Sequence, residues 1–156
     1  MTTNTITVIR WLIRNDLDDV MAIERSSFAK PWTREDMHAA LVRRNCIGCV
    51  YDVDQEIRGY MLYELQPGSL NIDNIAVHPD YRRQGIATAL IQRLKNKLSQ
   101  DRRTHITTMV SEHNTDAQLW LRSCGFRCIR AHRGHFGATH DGYEFVYSLR
   151  MHRDEQ

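Results

Sequence analysis

The stretch Asn71–Leu98, NIDNIAVHPDYRRQGIATALIQRLKNKL, constrains this chain more than any other. An apolar strand runs into a short turn, Arg82-x-x-Gly85-x-Ala87, and a helix springs directly from that turn. Ile86, Leu90, Leu94 and Leu98 recur at steps of four and give the helix one buried face, with Gln92, Arg93, Lys95 and Lys97 on its solvated side. Gly85 and Ala87 keep bulk away from the backbone, so consecutive N–H groups face outward at the first helical turn. There they lack intrahelical acceptors and the helix dipole is positive. Such a turn is an anion site, and a diphosphate is its natural guest. No Gly-Lys-Ser/Thr follows, which excludes a Walker-type phosphate loop.

The remaining elements follow from periodicity and capping. Alternation over Ile6–Ile13 predicts a first strand. Asn15 or Asp16 then caps a helix whose apolar side carries Leu17, Val20, Met21 and Phe28. Lys30-Pro31-Trp32-Thr33 breaks it, because proline disfavours helical geometry in the residue before it. Thr33-Arg-Glu-Asp36 reads as a capping box opening a second helix, with Met37, Ala40 and Leu41 inward. Strands are expected near 46–53 and 57–65, joined by the polar hairpin Asp52–Glu56, which lacks the Asn-Gly dipeptide that would set its turn type. Pro67-Gly68-Ser69 turns the chain into the central strand at about 70–77. After the motif helix come a strand over His105–Val110 and a short helix capped by Asn114 and ended by Gly125, carrying Ala117, Trp120, Leu121 and Cys124. Strands at Phe126–Ala131 and Tyr143–Leu149 close the chain around a Gly- and His-rich loop at 133–142, and residues 151–156 form a polar tail. The order β-α-α-β-β-β-α-β-α-β-β predicts an α/β (α+β) layer architecture, a mixed sheet of about seven strands with helices on both faces, in a single domain over residues 1–156.

Composition narrows the partners. With 156 residues, 42% of them hydrophobic and 26% charged, the chain suits one globular core. The net charge of +2 and the absence of a basic stripe beyond Arg82-Arg83 and Arg102-Arg103 argue against nucleic-acid binding. The apolar run ITVIRWLI is interrupted by Arg10, is too short to span a membrane and lacks a signal-peptide layout, so the cytoplasm is the expected location. Cys46/Cys49 and Cys124/Cys128 have a spacing that zinc ligands can share. The first pair falls on a predicted strand, where positions three apart point to opposite faces, and the second straddles a helix end. All four are read as small buried residues, with no metal and no disulfide.

The element order, the segment IAVHPDYRRQGIATAL and the later segment NTDAQLWLRSCGF together resemble the GNAT superfamily of N-acetyltransferases. Within it, Ala29-Lys-Pro-Trp-Thr33 resembles the RimI-type ribosomal-protein-alanine N-acetyltransferases, and the likeness runs from about Ile6 to Leu149. The resemblance implies a mostly antiparallel sheet and acetyl-CoA as co-substrate. It implies a diphosphate held on the backbone of Arg83, Gln84, Gly85, Ile86, Ala87 and Thr88, and a pantetheine arm along Ile75, Ala76 and Val77. Asn114 matches the asparagine that contacts the cofactor arm, a role compatible with capping its helix. Arg82 and Arg83 either add positive charge near the phosphates or stand solvated. The implied acceptor is an amine, above all the N-terminal α-amine of a protein, with a ribosomal protein among the candidates.

Acyl transfer to an amine also needs a route for the amine's proton and a way to release the thiolate. The resemblance puts a glutamate base on the strand before Asn114 and a tyrosine acid in the following helix, and those positions hold Met109 and Leu121. Neither carries a proton. Losing one such group typically costs about 10²–10⁴ in rate. An α-amine, with a reference pKa near 8 against about 10.4 for lysine, is easier to neutralise at pH 7 by roughly 3 kcal/mol, so this chain suits an N-terminal acceptor better than lysine. Glu112 and His113, just past the strand, are replacement candidates acting through a water; Tyr143 and His135 are candidate donors to the thiolate, and Asp73 is a further polar candidate. Trp32 and Trp120 read as packing residues. Two alternatives stay open, a small-molecule amine acetyltransferase and a catalytically silent CoA-binding module.

Overall fold

The structure, a computed structural model, describes residues 4–137 and 140–149; the polar tail at 151–156 lies outside them. The predicted order of helices and strands is the observed one: β1 (Thr7–Trp11), α1 (Leu17–Ser27), α2 (Arg34–Leu41), β2 (Cys46–Val53), β3 (Glu56–Gln66), β4 (Ser69–Val77), α3 (Ile86–Lys95), β5 (His105–Ser111), α4 (Thr115–Ser123), β6 (Arg127–His132) and β7 (Gly142–Ser148). The seven strands hydrogen-bond in the order β1-β2-β3-β4-β5-β7-β6. Pairing is antiparallel for β1/β2, β2/β3, β5/β7 and β6/β7, and parallel for β4/β5. The sheet is therefore mixed and mostly antiparallel. The chain divides into two compact units, one holding the residues up to Glu64 with Asn74–Arg93, the other Leu65–Asp73 with the residues from Leu94 on.

In the first unit, Leu17, Val20, Met21 and Ile23 of α1 pack with Met37 and Ala40 of α2 onto Val50, Ile57, Tyr60, Leu62 and Ala76 of the strands. Phe28, expected on the apolar side of α1, lies just past its end and packs partly against this core. The capping box of α2 forms as its sequence predicts: Asp36 N donates to Thr33 Oγ1 at 3.1 Å and Thr33 N to Asp36 Oδ2 at 2.9 Å. Asp16 does something other than cap. Only 5% exposed, its carboxylate accepts both Arg10 terminal nitrogens at 2.8 and 2.9 Å and the Ile13 amide at 2.8 Å, while Arg10 Nε donates to Asp52 at 2.9 Å. Burial by itself raises the Asp16 pKa, but the Arg10 and Ile13 hydrogen bonds and the Arg10 charge outweigh it and hold the carboxyl below its usual range. The β2–β3 hairpin places Asp54 and Gln55 at φ 51° and 72°, the left-handed pair of a tight two-residue turn, achieved without glycine.

Two non-local contacts shape this unit. Glu24, 1% exposed, accepts the Trp32 amide at 2.9 Å, the Asn74 side-chain amide at 2.8 Å and the Tyr60 hydroxyl. Burial, reinforced by the Glu24 hydrogen bond, pushes the Tyr60 phenol far above its ordinary range and keeps it protonated. Gly59 on β3 is the second: a Cβ there would lie 2.8 Å from Ile86 Cγ2 and 3.3 Å from Ala76 O. Only a glycine lets the first turn of α3 sit this close to the strands.

In the second unit, β5 pairs with β4 over Ser69–Ile72 against His105–Thr108 and with β7 along its whole length. Ile106, Val110, Leu121, Cys124, Phe126 and Phe145 are buried. Asn114 caps α4 by accepting the Ala117 amide at 3.1 Å. Gly125, at φ 90°, ends the helix in a Schellman arrangement, with Gly125 N bonded to Arg122 O and Phe126 N to Leu121 O, both at 3.0 Å. None of the four cysteines is in a disulfide; Cys46, Cys49 and Cys124 are buried, but Cys128 is exposed, on the last strand in the sheet order. No helix among the described residues is long and apolar enough to cross a membrane.

A carboxyl held below its ordinary pKa contributes stability that is present above about pH 4 and lost as pH falls through the folded-state value. Asp16→Asn should therefore lower unfolding free energy by about 2 kcal/mol at pH 7, with a smaller difference at pH 3, in urea titrations. Gly59→Val should lower the melting temperature through overpacking worth about 1–3 kcal/mol.

Candidate active site

The turn predicted to hold an anion lies wholly in the first unit. β4 ends at Val77, and His78 N donates back to Arg58 O at 2.8 Å, fixing where the strand stops. A 3₁₀ turn, Pro79–Tyr81, follows, with the Arg58 guanidinium 4.0 Å over the Tyr81 ring. Arg82 is a strut. Its guanidinium donates to Val77 O at 3.2 Å, Ser27 Oγ at 3.1 Å and Ser26 O at 3.4 Å, tying the turn to the end of β4 and the C-terminus of α1. Arg82 is exposed, as the solvated reading from the sequence has it, and these bonds add a structural role.

Arg83 and Gly85 adopt left-handed angles, φ 62° and 82°. A Cβ on Gly85 would meet nothing within 4 Å, so its glycine serves the backbone angle, and the space beside it is open. The helical ladder of α3 starts with Ala89 N donating to Gly85 O at 2.9 Å, so the Ile86 and Ala87 amides precede it. Ile86, 4% exposed, anchors that first turn from below, while Gln84 and Thr88 are exposed and Ala87 is half-buried. The first turns of α1, α2 and α4 carry Asp18 and Asp19, Glu35 and Asp36, and Asp116; that of α3 has no acidic residue. Its positive end is left for an external anion. On β4, Ala76 is buried in the core and Ile75 and Val77 are half-buried, all of them past the residues that pair with β5.

The proton-handling candidates lie in the second unit. Glu112 accepts the Asp141 amide at 3.2 Å and donates its own amide to Asp141 O at 2.9 Å, closing the end of β5 against β7. Exposed His113 stands 3.5 Å from Glu112 and edge-on to His140, ring centroids 4.8 Å apart. Glu112 and His113 thus form one cluster with His140 and Asp141. Tyr143 pairs with Val110 on β5 and alternates with Glu144 along β7, so it faces away from Glu144. Asn114 is exposed and spends its side-chain oxygen on the helix cap. Asp73 is half-buried and accepts the Asn71 side chain at 2.9 Å. Trp32 packs against the core of the first unit, as read from sequence, and Trp120 is half-buried.

Of the two apolar positions where the resemblance implies an acid and a base, Leu121 is buried and Met109 is half-buried. The register, however, sets Glu144 directly across from Met109. Glu144 Oε1 lies 2.8 Å from His132 Nε2. This pairing comes from strand register, which no single stretch of the sequence displays. A cavity of about 920 Å³ near Trp11, Leu12, Arg34, His38, Leu41 and Cys46 includes none of the predicted site residues. No group of metal-binding side chains occurs among the described residues.

The sequence profile of the Acetyltransferase (GNAT) family matches residues 17–126. An acetyltransferase of Pectobacterium atrosepticum is 34% identical over 111 residues, covering 68% of this chain and 77% of that one. The ribosomal protein bS18-alanine N-acetyltransferase of Escherichia coli is 26% identical over 129 residues, 83% of this chain and 86% of that one. The crystal structure of Arabidopsis thaliana NAA60 in complex with acetyl-CoA superposes with a TM-score of 0.81 at 20% identity, over 93% of this chain and 99% of that one. The fold is shared with that structure, and the profile match across most of the sequence makes this chain a member of the GNAT family of N-acetyltransferases, hence an acyltransferase.

Proposed function

We propose that the chain transfers the acetyl group of acetyl-CoA to the N-terminal α-amine of a protein. The observation that carries the donor half is the open, acid-free first turn of α3, set beside a left-handed Gly85 with clear space over it. The backbone of Arg83, Gln84, Gly85, Ile86, Ala87 and Thr88 holds the diphosphate, and Ile75, Ala76 and Val77 offer strand hydrogen bonds to the pantetheine arm. Acetyl-CoA supplies an activated thioester. The amide near Val77 polarises the thioester carbonyl, which stabilises the oxyanion that develops there. The acetyl-CoA complex of the Arabidopsis thaliana protein supports this assignment of the donor.

The acceptor half rests on chemistry. Met109 and Leu121 remove two proton carriers, which favours an amine that is already partly neutral at pH 7. The Escherichia coli relative is named for an alanine of a ribosomal protein, and a peptide amine of that kind fits this requirement.

Gly85→Asp places a carboxylate in the open space above the turn and should raise the acetyl-CoA dissociation constant at least about 100-fold by calorimetry. Gly85→Ala carries the backbone strain without the charge and should cost roughly tenfold; equal losses would remove the anion-site argument. In thiol-release assays at pH 7, peptides starting with Ala or Ser should be acetylated faster than lysine side chains in blocked peptides. The reverse order would overturn the acceptor assignment.

A further inference from the structure

We infer that the groove between α2 and the end of β1 is a docking surface for a second copy of this chain. The groove, about 920 Å³ in volume, belongs wholly to the first unit. Its floor is apolar and closely packed. Leu12, Leu17, Leu41 and Cys46 line it, and a Cβ on Gly48 would lie 2.9 Å from Leu41 Cδ2 and 3.1 Å from Leu12 Cβ. Its rim projects: Trp11 is 72% exposed, Val42 65% and Ile13 54%. Of the eight large hydrophobic side chains exposed among the described residues, these three line one groove, and Trp11 is the most exposed of all. A lone exposed hydrophobe is ordinary, whereas several gathered around a groove mark a surface that is covered in use.

The rim selects the occupant. A two-fold interface uses the same patch on both partners, so that patch must both protrude and receive, and its charges must cancel. The Trp11 indole protrudes beside a groove large enough for a drug-sized ligand, which an indole does not exceed. Arg34 on the rim is neutralised by Asp18 at 2.5 Å. The remaining guanidinium and carboxylate of the lining are Arg14 and Glu35, and among the described residues neither side chain makes a hydrogen bond or ion pair. A two-fold axis at the groove sets Arg14 against Glu35 of the partner subunit, twice. A lining of one sign would instead select an oppositely charged ligand and repel its own copy.

The contact is made by side chains. β1 is the first strand in the sheet order, and Leu12 N donates to Gly48 O and Asp54 N to Ile6 O. Even-numbered residues of β1 therefore turn their backbone groups to β2, and odd-numbered ones turn theirs outward. Two outward carbonyls are already engaged: Ile9 O accepts Arg93 Nη1 at 3.3 Å, and Trp11 O accepts Arg10 Nη1 at 3.1 Å. The edge is thus partly closed to strand addition. The fourteen residues lining the groove fall short of the roughly 20–30 a side of a standard interface, so the dimer is weak, with a Kd in the micromolar range. None of them belongs to β4 or to the turn before α3, so the inference stands apart from the proposed function.

Sedimentation velocity of the full chain from about 1 to about 500 μM should show a reversible shift from monomer to dimer. Trp11→Ser should raise the dimer Kd at least about 30-fold, and Arg14→Glu and Glu35→Arg should each raise it about tenfold. The double variant carrying both charge reversals should return to within about threefold of the unaltered value, because the swapped charges meet again across the two-fold axis. All three positions are exposed, so melting temperatures at the dilute end should match that of the unaltered chain, which separates lost pairing from lost folding. A chain that stays monomeric over the whole range would overturn the inference, whatever else the groove holds. A dimer indifferent to Trp11→Ser, or charge reversals that fail to rescue each other, would move the interface elsewhere and overturn it as well.

Discussion

The contact on which the proposed donor site depends is the close approach of Ile86 to Gly59. An anion turn works only when its amides are held in place, because amides that must reorganise on binding lose most of their advantage. Ile86 and Leu90 bury the underside of α3, and Gly59 removes the one side chain that would lift the helix off β3. Above this anchor, Gly85 takes a left-handed angle and exposes nothing but backbone. A residue with no side chain below and another with none above bracket the same turn.

The polar interactions in this unit brace the same region. Arg82 ties Val77 to the end of α1, and Glu24 in α1 binds Asn74 three residues earlier in β4. The final four residues of β4 are thereby held at both ends by groups that reach α1. Glu24 also fixes the Trp32 amide at the start of the α2 capping segment. A 1% exposed carboxylate is tolerated because three donors surround it, whereas removing any one would leave a buried acceptor short. Arg82 Nε and Nη2 donate to carbonyl and hydroxyl oxygens, so this exposed motif residue also braces the turn.

Much of the fold was legible because the signals were local. The Thr33–Asp36 capping box, the Asn114 cap, the Gly125 stop and the fourfold spacing in α3 each involve residues within a turn or two of one another. Asp16 was the local signal that failed, since Arg10 and the Ile13 amide claim its carboxylate before α1 can use it. Cys128 failed for another reason: an apolar-looking position on β6 is exposed because that strand ends the sheet order.

By itself the sequence determined the element order, the glycine turn before α3 and the family, because helix period, capping chemistry and the Gly85 motif are written in neighbouring residues. It also showed that Met109 and Leu121 cannot move protons. Only the tertiary structure decided what props the turn. Gly59 and Ile86 are distant in sequence, as are Glu24 and Asn74, and Met109 and Glu144 meet only through the β5–β7 register. Register is invisible in a single chain of letters, since slipping it by one residue would turn Glu144 to the opposite face without changing the alternation of the strand.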